Sequence, residues 1–309
     1  MIHTITRLDV LTERFHRGLI ENYSPEMKDY YWRSSGLDGE MRMKEILEEY
    51  IKDQALIVHD LSIDYNGQTQ VDFLVMWDAY WWVIEVKNYS GLFTFEEETC
   101  YLNGYPLRRN QLSDMQNRLR IMKEVAASVD PRIQVEGSFI LVHPHGVCKL
   151  SKSHNFEVLT CNEIKLSIEM KLQASYAYHP KTVAQDYEKV LTHQYYFKEE
   201  LPTMTEADWK YCKKGVRCSN CESYFPERSG WYLICPNCGI RHLKVDLVQN
   251  LYQQLCTLYS DQAHAVTAKR LYEFSGQVLA KNTIRRGLKK VVKLNKCSNQ
   301  SYYQNMYRE

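Results

Sequence analysis

The stretch QVDFLVMWDAYWWVIEVKNYSG, residues 70–91, decides the fold of the N-terminal half of this chain. Two strongly apolar runs flank Asp78-Ala79, which predicts a β-hairpin with a two-residue turn at that point. This turn places Asp72 directly opposite Glu85. Because side chains alternate across a strand, one face of the hairpin is wholly apolar and the other is apolar only near the turn.

The open end of the second face is polar, and Gln70, Asp72, Glu85 and Lys87 lie there. Two carboxylates facing each other at about 5 Å repel by roughly 3 kcal/mol at an effective dielectric constant near 20. Lys87 offsets one of these charges, and a divalent cation offsets two more. Mg²⁺ prefers oxygen ligands and is often held by one or two carboxylates together with substrate phosphate. The residues therefore favour metal-assisted attack on a phosphodiester, and the alternative is a structural ion pair on a half-exposed strand.

The surrounding sequence predicts the order α, β, β, β, β, α, β, β, α. A helix follows the Ser/Gly-rich SSGLDG at residues 34–39, and a second amphipathic helix is LSDMQNRLRIMKEVAASV. Turns are expected at Asn66-Gly67 and Asn103-Gly104. Helices and strands mixed in this way favour an α/β layer fold around a partly antiparallel sheet.

Three blocks of this sequence, GLDGE, QVDFLVM and VIEVKNYSG, resemble the nuclease-related domain (NERD) family of the PD-(D/E)xK nuclease superfamily. The resemblance covers about residues 34 to 150 and implies a restriction-endonuclease-like mixed sheet flanked by helices. It also implies that Asp72 and Glu85 are ligands of Mg²⁺ or Mn²⁺, that Lys87 is the catalytic lysine, and that Gln70 shapes the site.

The same resemblance makes Glu40, in the helix after the glycines, an extra acid that reaches the site. Without it, Glu40 is an ordinary helix glutamate. Gln116, in the later helix, is a further candidate on the same ground. The family often has a histidine after the aspartate, whereas this chain has Phe73 there, and that departure leaves the metal ligands intact.

Two C-x-x-C pairs, Cys218 with Cys221 and Cys235 with Cys238, are separated by thirteen residues. Each pair can grip one ion from a tight turn, and two pairs complete a tetrahedral Zn²⁺ site. The pattern resembles a zinc ribbon with a closed, structural site. The alternatives are two disulfides or four unrelated free thiols.

The chain has a net charge of +1, but residues 267–296 contain nine Lys or Arg and one acid, Glu273. The pattern there looks like a helix-turn-helix, with Gly276 in the turn and a second helix that buries an apolar face. Its basic side chains are candidates for phosphate contacts or base recognition; they are Lys281, Arg285, Arg286, Lys289 and Lys290. The alternative is an ordinary basic helix pair packed on the zinc ribbon.

These patterns predict a helical extension, a nuclease-like domain, a helical connector, a zinc ribbon and a helical basic tail, at residues 1–33, 34–171, 172–212, 213–244 and 245–309. Apolar residues make up 44% of the chain and charged residues 25%, as in soluble globular proteins. The first residues lack the apolar core of a signal peptide, and no run is long and apolar enough to cross a membrane. We expect a cytoplasmic protein without membrane contact, and its oligomeric state stays open.

The leading hypothesis is a Mg²⁺-dependent nuclease whose zinc ribbon and basic tail bind nucleic acid, with DNA as the expected substrate. Two other hypotheses remain. One is a non-catalytic DNA-binding regulator or scaffold with a nuclease-like fold. The other is a protein-interaction adaptor, which predicts no salt-sensitive affinity for DNA.

Overall fold

A computed structural model describes residues 5–96, 98–150, 154–174, 176–195, 199–226, 230–260, 266–297 and 300–305, with side chains described as far as Lys290. The chain divides into two compact units. The sheet unit is residues 32–198. The cysteine unit combines residues 1–31 with residues 199–309.

The elements follow one another along the chain in an order that mixes helices and strands. In the first half they are α1 (Arg7–His16), α2 (Pro25–Ile51), β1 (Leu56–Asp64), β2 (Gln68–Met76), β3 (Tyr80–Lys87), β4 (Gly91–Glu96), β5 (Thr99–Leu102), β6 (Tyr105–Pro106), α3 (Gln111–Val129), β7 (Gln134–Leu141) and β8 (Gly146–Leu150). In the second half they are β9 (Glu157–Thr160), α4 (Ile164–Gln173), α5 (Pro180–Leu191), α6 (Glu206–Tyr211), β10 (Tyr232–Ile234), β11 (Arg241–Leu243), α7 (Leu247–Leu258), α8 (Ala268–Phe274), α9 (Lys281–Val291), β12 (Val292–Cys297) and β13 (Gln300–Asn305).

The sheet unit is built on a mixed sheet with strand order β1-β2-β3-β7-β9. β2 pairs antiparallel with both β1 and β3, whereas β7 pairs parallel with both β3 and β9. A smaller mixed sheet has the order β6-β5-β4-β8. The α/β class predicted from the sequence, a mixed sheet with flanking helices, is confirmed.

Both faces of the main sheet are buried, which explains why β2 and β3 are so apolar. One face packs Leu74 and Trp81 with α3 and α5, and the other packs Phe73 and Trp82 with α2 and α4. Gly137 in β7 lets α3 approach closely, because a Cβ there would lie 2.5 Å from Met115 Cε. α3 therefore lies directly on the centre of the sheet.

The cysteine unit has a core of its own, in which the cysteine-bearing loops share apolar contacts with α7, α8 and α9. α9 crosses α7 closely at Gly287, where a Cβ would stand 2.5 Å from Val248 Cβ. Gly287 lowers helix propensity by about 1 kcal/mol relative to Ala, but it allows this contact. The glycine that weakens the sequence pattern is thus required by the packing.

A buried ionic network joins α1 to the C-terminal part of the cysteine unit. The Arg17 side chain is fully buried, donates to Glu13 at 2.7 Å and to the carbonyl oxygens of Lys213 and Gly215 at 3.2 and 3.0 Å, and stacks on the ring of Phe274. Glu13 also accepts from Arg217. α1 is therefore an integral part of this unit.

Two local elements differ from the predicted ones. α2 runs unbroken through the Ser/Gly-rich residues 34–39, and Gly39 is required there by packing, because a Cβ at that position would come within 2.8 Å of Asn88 Cβ. The sequence predicts helical periodicity as far as residue 296 and a frayed end beyond it, whereas α9 ends at Val291 and β12 pairs with β13 as a hairpin. The side chains of Lys293 and Lys296, which belong to the basic window, lie outside the described side chains.

Candidate functional site

The predicted hairpin register is present, and its ladder runs from Met76–Trp81 at the turn to Phe73–Ile84. Beyond that pair the two strands separate. The Asp72 carboxylate bridges the gap by accepting a hydrogen bond from the backbone N–H of Val86 at 2.7 Å. Asp72 and Glu85 therefore meet on one face, where the strands open.

Glu85 is almost fully buried, with 1% of its surface exposed, and two cations contact it. Lys87 Nζ lies 2.5 Å from Oε1, and Arg118 Nε of α3 lies 3.3 Å from Oε2. Oε2 nevertheless makes no hydrogen bond within the part of the chain that the structure describes. We name Asp72, Glu85 and Lys87 the acid cluster.

The electrostatics of the acid cluster reflect its burial. Burial and the neighbouring charge of Glu85 raise the pKa of Asp72 from its ordinary value to about 7, although Lys87 opposes the shift. For Lys87, burial acts to lower the pKa, but Glu85 and Asp72 outweigh it and raise the pKa to about 12. The cluster thus holds a firmly charged lysine next to a carboxyl group that gives up its proton near neutral pH.

Residues 35–148 match the family model of the nuclease-related domain. The match contains the whole acid cluster together with Arg118 and Glu40. No curated protein and no solved structure matches the chain.

Within the matched residues 35–148, Gln70 and Glu40 have hydrogen-bond partners outside the acid cluster. The Gln70 side chain is exposed and donates to Asp60 Oδ1 at 2.5 Å, while its backbone oxygen accepts from Arg118 at 2.7 Å. Glu40 lies 2.8 Å from His59 Nε2. The backbone of Gln70 is therefore linked to Arg118, which also contacts Glu85, and Glu40 is paired with a histidine.

His59 and Phe73 are paired neighbours on β1 and β2, and their rings stack with centroids 4.7 Å apart. Phe73 belongs to the face of the sheet that packs with α2 and α4. The hydrogen bond to Glu40 raises the pKa of His59, and Glu40 in turn contributes to raising the pKa of Asp72. Glu40 is thus close enough for its charge to act on the acid cluster without touching it.

Sequence reasoning missed Arg118 and His59 and included Gln116, which is exposed. The signal for Arg118 is its place in α3. It lies three residues after the buried Met115 and next to the buried Leu119, on the flank of the apolar face. His59, on an alternating strand, has no comparable signal.

The acid cluster suits a divalent cation because of the ligand atoms that it offers and because its two carboxylates are incompletely stabilised. It offers two carboxylates, one with a buried oxygen lacking a hydrogen bond in the described residues and one whose negative form is disfavoured. A small dication relieves both conditions, because it binds carboxylate oxygens and favours their charged form. Asp72 and Glu85 are the residues that would hold it.

The second centre is the thiol cluster, formed by Cys218, Cys221, Cys235 and Cys238, whose sulfur atoms all lie within 4.8 Å of one another. Two of the separations are 3.7 Å, between Cys218 and Cys238, and 3.4 Å, between Cys221 and Cys235. A tetrahedral zinc site with Zn–S bonds near 2.3 Å needs sulfur atoms about 3.8 Å apart. The four thiols can therefore hold a structural zinc ion.

The two cysteine loops share one backbone design. In each, the residue after the second cysteine donates to the carbonyl of the first, Glu222 to Cys218 at 3.0 Å and Gly239 to Cys235 at 2.9 Å. Both residues have positive φ, 60° at Glu222 and 71° at Gly239. His242 Nε2 lies 3.2 Å from Cys218 Sγ, beside the four thiols.

The third feature is the basic face of α9. Ile284 and Leu288 are fully buried, as the apolar pattern predicted, and Thr267 caps α8 by accepting from Arg270 N at 3.1 Å. The basic side chains point to solvent; they are Lys281, Arg285, Arg286, Lys289 and Lys290. No ion pair to an acid is found for them among the described residues, although Lys281 lies over the ring of Tyr272.

No helix in the described ranges is both long and apolar enough to cross a membrane.

Proposed function

We propose that this protein is a divalent-metal-dependent nuclease that cleaves phosphodiester bonds in DNA. The observation that carries the proposal is the meeting of Asp72, Glu85 and Lys87 on one face of the nuclease-related domain. A lysine held between two carboxylates suits a reaction at phosphate, in which negative charge must be both gathered and neutralised.

Asp72 and Glu85 would bind Mg²⁺ or Mn²⁺, and the Val86 N–H fixes the orientation of the Asp72 carboxylate. When bound, the cation lowers the pKa of an attacking water and offsets charge on the phosphate. Lys87 stays protonated through neutral pH, so it donates a hydrogen bond to the water or to a phosphate oxygen. The buried walls around Glu85 limit the access of bulk water.

Cleavage of plasmid DNA tests the proposal. Wild-type protein should nick or degrade DNA with Mg²⁺ or Mn²⁺, and EDTA should stop the reaction. Asp72→Ala and Lys87→Ala should each lower the rate by about 100-fold or more, as the loss of a charged group at the reacting centre does. Lys123→Ala is the matched control, because Lys123 is an exposed lysine on α3. Cleavage that survives both changes contradicts the site.

The cysteine unit supports the same function by offering a DNA-binding surface. The four outward residues Arg285, Arg286, Lys289 and Lys290 lack acidic partners in the described residues, so they are available for phosphates. Zinc held by the thiol cluster would fix the loops beneath them in a rigid core. A non-catalytic DNA-binding regulator is the second candidate, and this basic face is the observation that favours it.

Removing two of these charges tests the role of α9. Arg285→Ala combined with Arg286→Ala should weaken DNA binding and lower the slope of log affinity against log salt by about 0.9 for each phosphate that is no longer neutralised. The measurement is a fluorescence anisotropy titration at several salt concentrations. Unchanged affinity and slope would remove α9 from the proposal. DNA binding by a protein that never cleaves would favour the regulator.

A further inference from the structure

Arg118 of α3 is held through its Nε atom, and the two terminal nitrogens of its guanidinium stay available for a ligand. Its Nε donates to the backbone oxygen of Gln70 at 2.7 Å and lies 3.3 Å from Glu85 Oε2. Neither terminal nitrogen makes a hydrogen bond to a described residue. The side chain keeps 22% of its exposure, whereas Glu85 keeps 2%. The Arg118 side chain is therefore partly open to solvent beside a buried carboxylate.

The position of the anchor is held by packing rather than by chance contact. α3 lies against β7 through Gly137, where even a single added carbon would collide with Met115 and Leu119. Arg118 lies between these two residues in the sequence of α3. The helix therefore cannot retreat from the sheet without opening the core, and the guanidinium stays beside the acid cluster.

The charges around the site show what Arg118 adds. Asp72 and Glu85 carry two negative charges when ionised, and Lys87 and Arg118 carry two positive ones, so the group is balanced before any metal binds. A divalent cation then leaves the site with a surplus of positive charge. An anion is the ligand that such a surplus attracts, and it gains most when it arrives after the cation.

We propose that Arg118 is a phosphate-binding residue of this site, which holds a phosphodiester through its two terminal nitrogens while Nε remains anchored to Gln70 and Glu85. The inference rests on the proposed nuclease function and names a residue that the sequence motif does not contain. Arginine suits the role because its planar fork can bind two phosphate oxygens at once, whereas lysine offers a single point charge.

The test compares Arg118→Ala, Arg118→Lys and Arg120→Ala in the full-length protein. Arg120 is the matched control, because it lies on the same helix but pairs with Glu124 and Asn117 at the exposed surface. The probe is a short fluorescent DNA duplex, titrated in Ca²⁺ so that binding is measured without cleavage. Arg118→Ala should weaken binding by about 10- to 100-fold, Arg118→Lys by less, and Arg120→Ala by less than about threefold.

A second measurement separates phosphate binding from a merely structural role. Isothermal titration of Mn²⁺ into Arg118→Ala without DNA should give an affinity equal to or higher than that of wild type, because Arg118 is not a proposed metal ligand and its positive charge repels the cation. A parallel loss of Mn²⁺ affinity would show that Arg118 acts only by positioning Glu85. Equal DNA affinity in Arg118→Ala and Arg120→Ala would also overturn the inference.

The experiments distinguish a wrong role for Arg118 from a wrong nuclease function. If wild-type protein fails to cleave DNA in Mg²⁺ but loses DNA affinity in Arg118→Ala, the nuclease function is wrong and Arg118 is still a phosphate-binding residue. If wild-type protein cleaves DNA and Arg118→Ala binds and cleaves as Arg120→Ala does, the nuclease function holds and the role of Arg118 is wrong.

Discussion

The thiol cluster and the acid cluster are two candidate metal centres built on opposite plans. The four thiols come from two short loops of one segment, and both loops use the same backbone hydrogen bond. The acid cluster lies at the open end of a hairpin, and an arginine from a helix later in the chain contacts its Glu85. Local chemistry alone specifies the first centre, whereas the second exists only after the sheet and α3 have packed.

The two centres also differ in what they contribute to stability. A closed site of four thiols stabilises its unit when zinc binds, because the ligands are ordered only in the folded state. The acid cluster works against folding, because it buries a carboxylate whose negative form is disfavoured beside a second one. A site kept open for a substrate retains unfavourable charge that a structural site does not need.

The largest expected effect follows removal of the thiol cluster. Cys235→Ser should reduce zinc content from one ion per chain to none and destabilise the cysteine unit by about 5 kcal/mol or more, since structural zinc contributes folding free energy directly. Elemental analysis and hydrogen exchange followed by mass spectrometry measure the two effects. Cys256→Ser, at a buried cysteine of the same core, should keep the zinc. Retention of both zinc and protection in Cys235→Ser would contradict the assignment.

Removing the negative charge of Asp72 should stabilise the protein at pH 8 in EDTA, by up to about 4 kcal/mol. The folded-state pKa of Asp72 is raised to about 7. Between about pH 4 and pH 7 the folded protein therefore holds a proton that the unfolded chain has released, and the free energy of unfolding falls as pH rises. In Asp72→Asn this fall should be smaller, so the advantage of the variant should grow from acid to neutral pH.

The pH profile of Asp72→Asn needs a matched variant and a metal arm. Asp64→Asn is suitable, because Asp64 is exposed at the end of β1. Its profile should follow that of wild type. Excess Mg²⁺ should raise the melting temperature of wild type and leave that of Asp72→Asn unchanged. If the stability advantage of Asp72→Asn is the same at pH 5 and pH 8, folding does not raise the pKa of Asp72.

The next largest effect is expected at two helical glycines, one from each unit. Their replacement by alanine should change the free energy of unfolding in opposite directions. Gly287→Ala should cost about 2 kcal/mol, because the new Cβ collides with Val248 and the crossing of α7 and α9 must widen. Gly36→Ala should instead stabilise the sheet unit by up to about 1 kcal/mol, since nothing lies near that Cβ. Urea unfolding measures both, and a gain at Gly287 would show that this crossing is loose.

The smallest expected effect concerns the backbone of the two cysteine loops in the thiol cluster. Gly239 has φ of 71° and open space around it, so Gly239→Ala should cost only the backbone strain of a left-handed residue, about 1 kcal/mol. Zinc affinity, measured by competition with a chelator, should fall about fivefold. The first loop already tolerates Glu222 in the same conformation. A far larger loss would show that the second loop is the more constrained of the two.

Much of the sheet unit could be predicted because its signals are local or periodic. The alternation of apolar residues fixed the register of the hairpin, and Phe73 pairs with Ile84 as expected. The separation of the strands beyond that pair was not predictable, because the Val86 N–H turns to the Asp72 side chain instead of the ladder. Arg118 escaped for a similar reason, since its partner Glu85 becomes a neighbour only through tertiary packing.

In the cysteine unit, too, local patterns could be predicted from the sequence and long-range contacts could not. Spacing alone predicted the thiol cluster, because two C-x-x-C loops carry the whole design. Arg17 gave no such signal, although it is fully buried and bonded to the carbonyl oxygens of Lys213 and Gly215. These two partners lie 196 and 198 residues further along the chain, where no periodic or spacing rule reaches.

That distant partnership sets an order of assembly during translation. The sheet unit is one continuous segment, so it can fold as soon as residues 32–198 have left the ribosome. α1 emerges earlier but has to wait, with Arg17 unburied, until the segment around Lys213 has been synthesised. The first helix of the chain is therefore among the last to reach its final place, and a ribosome stalled between the two segments would expose it.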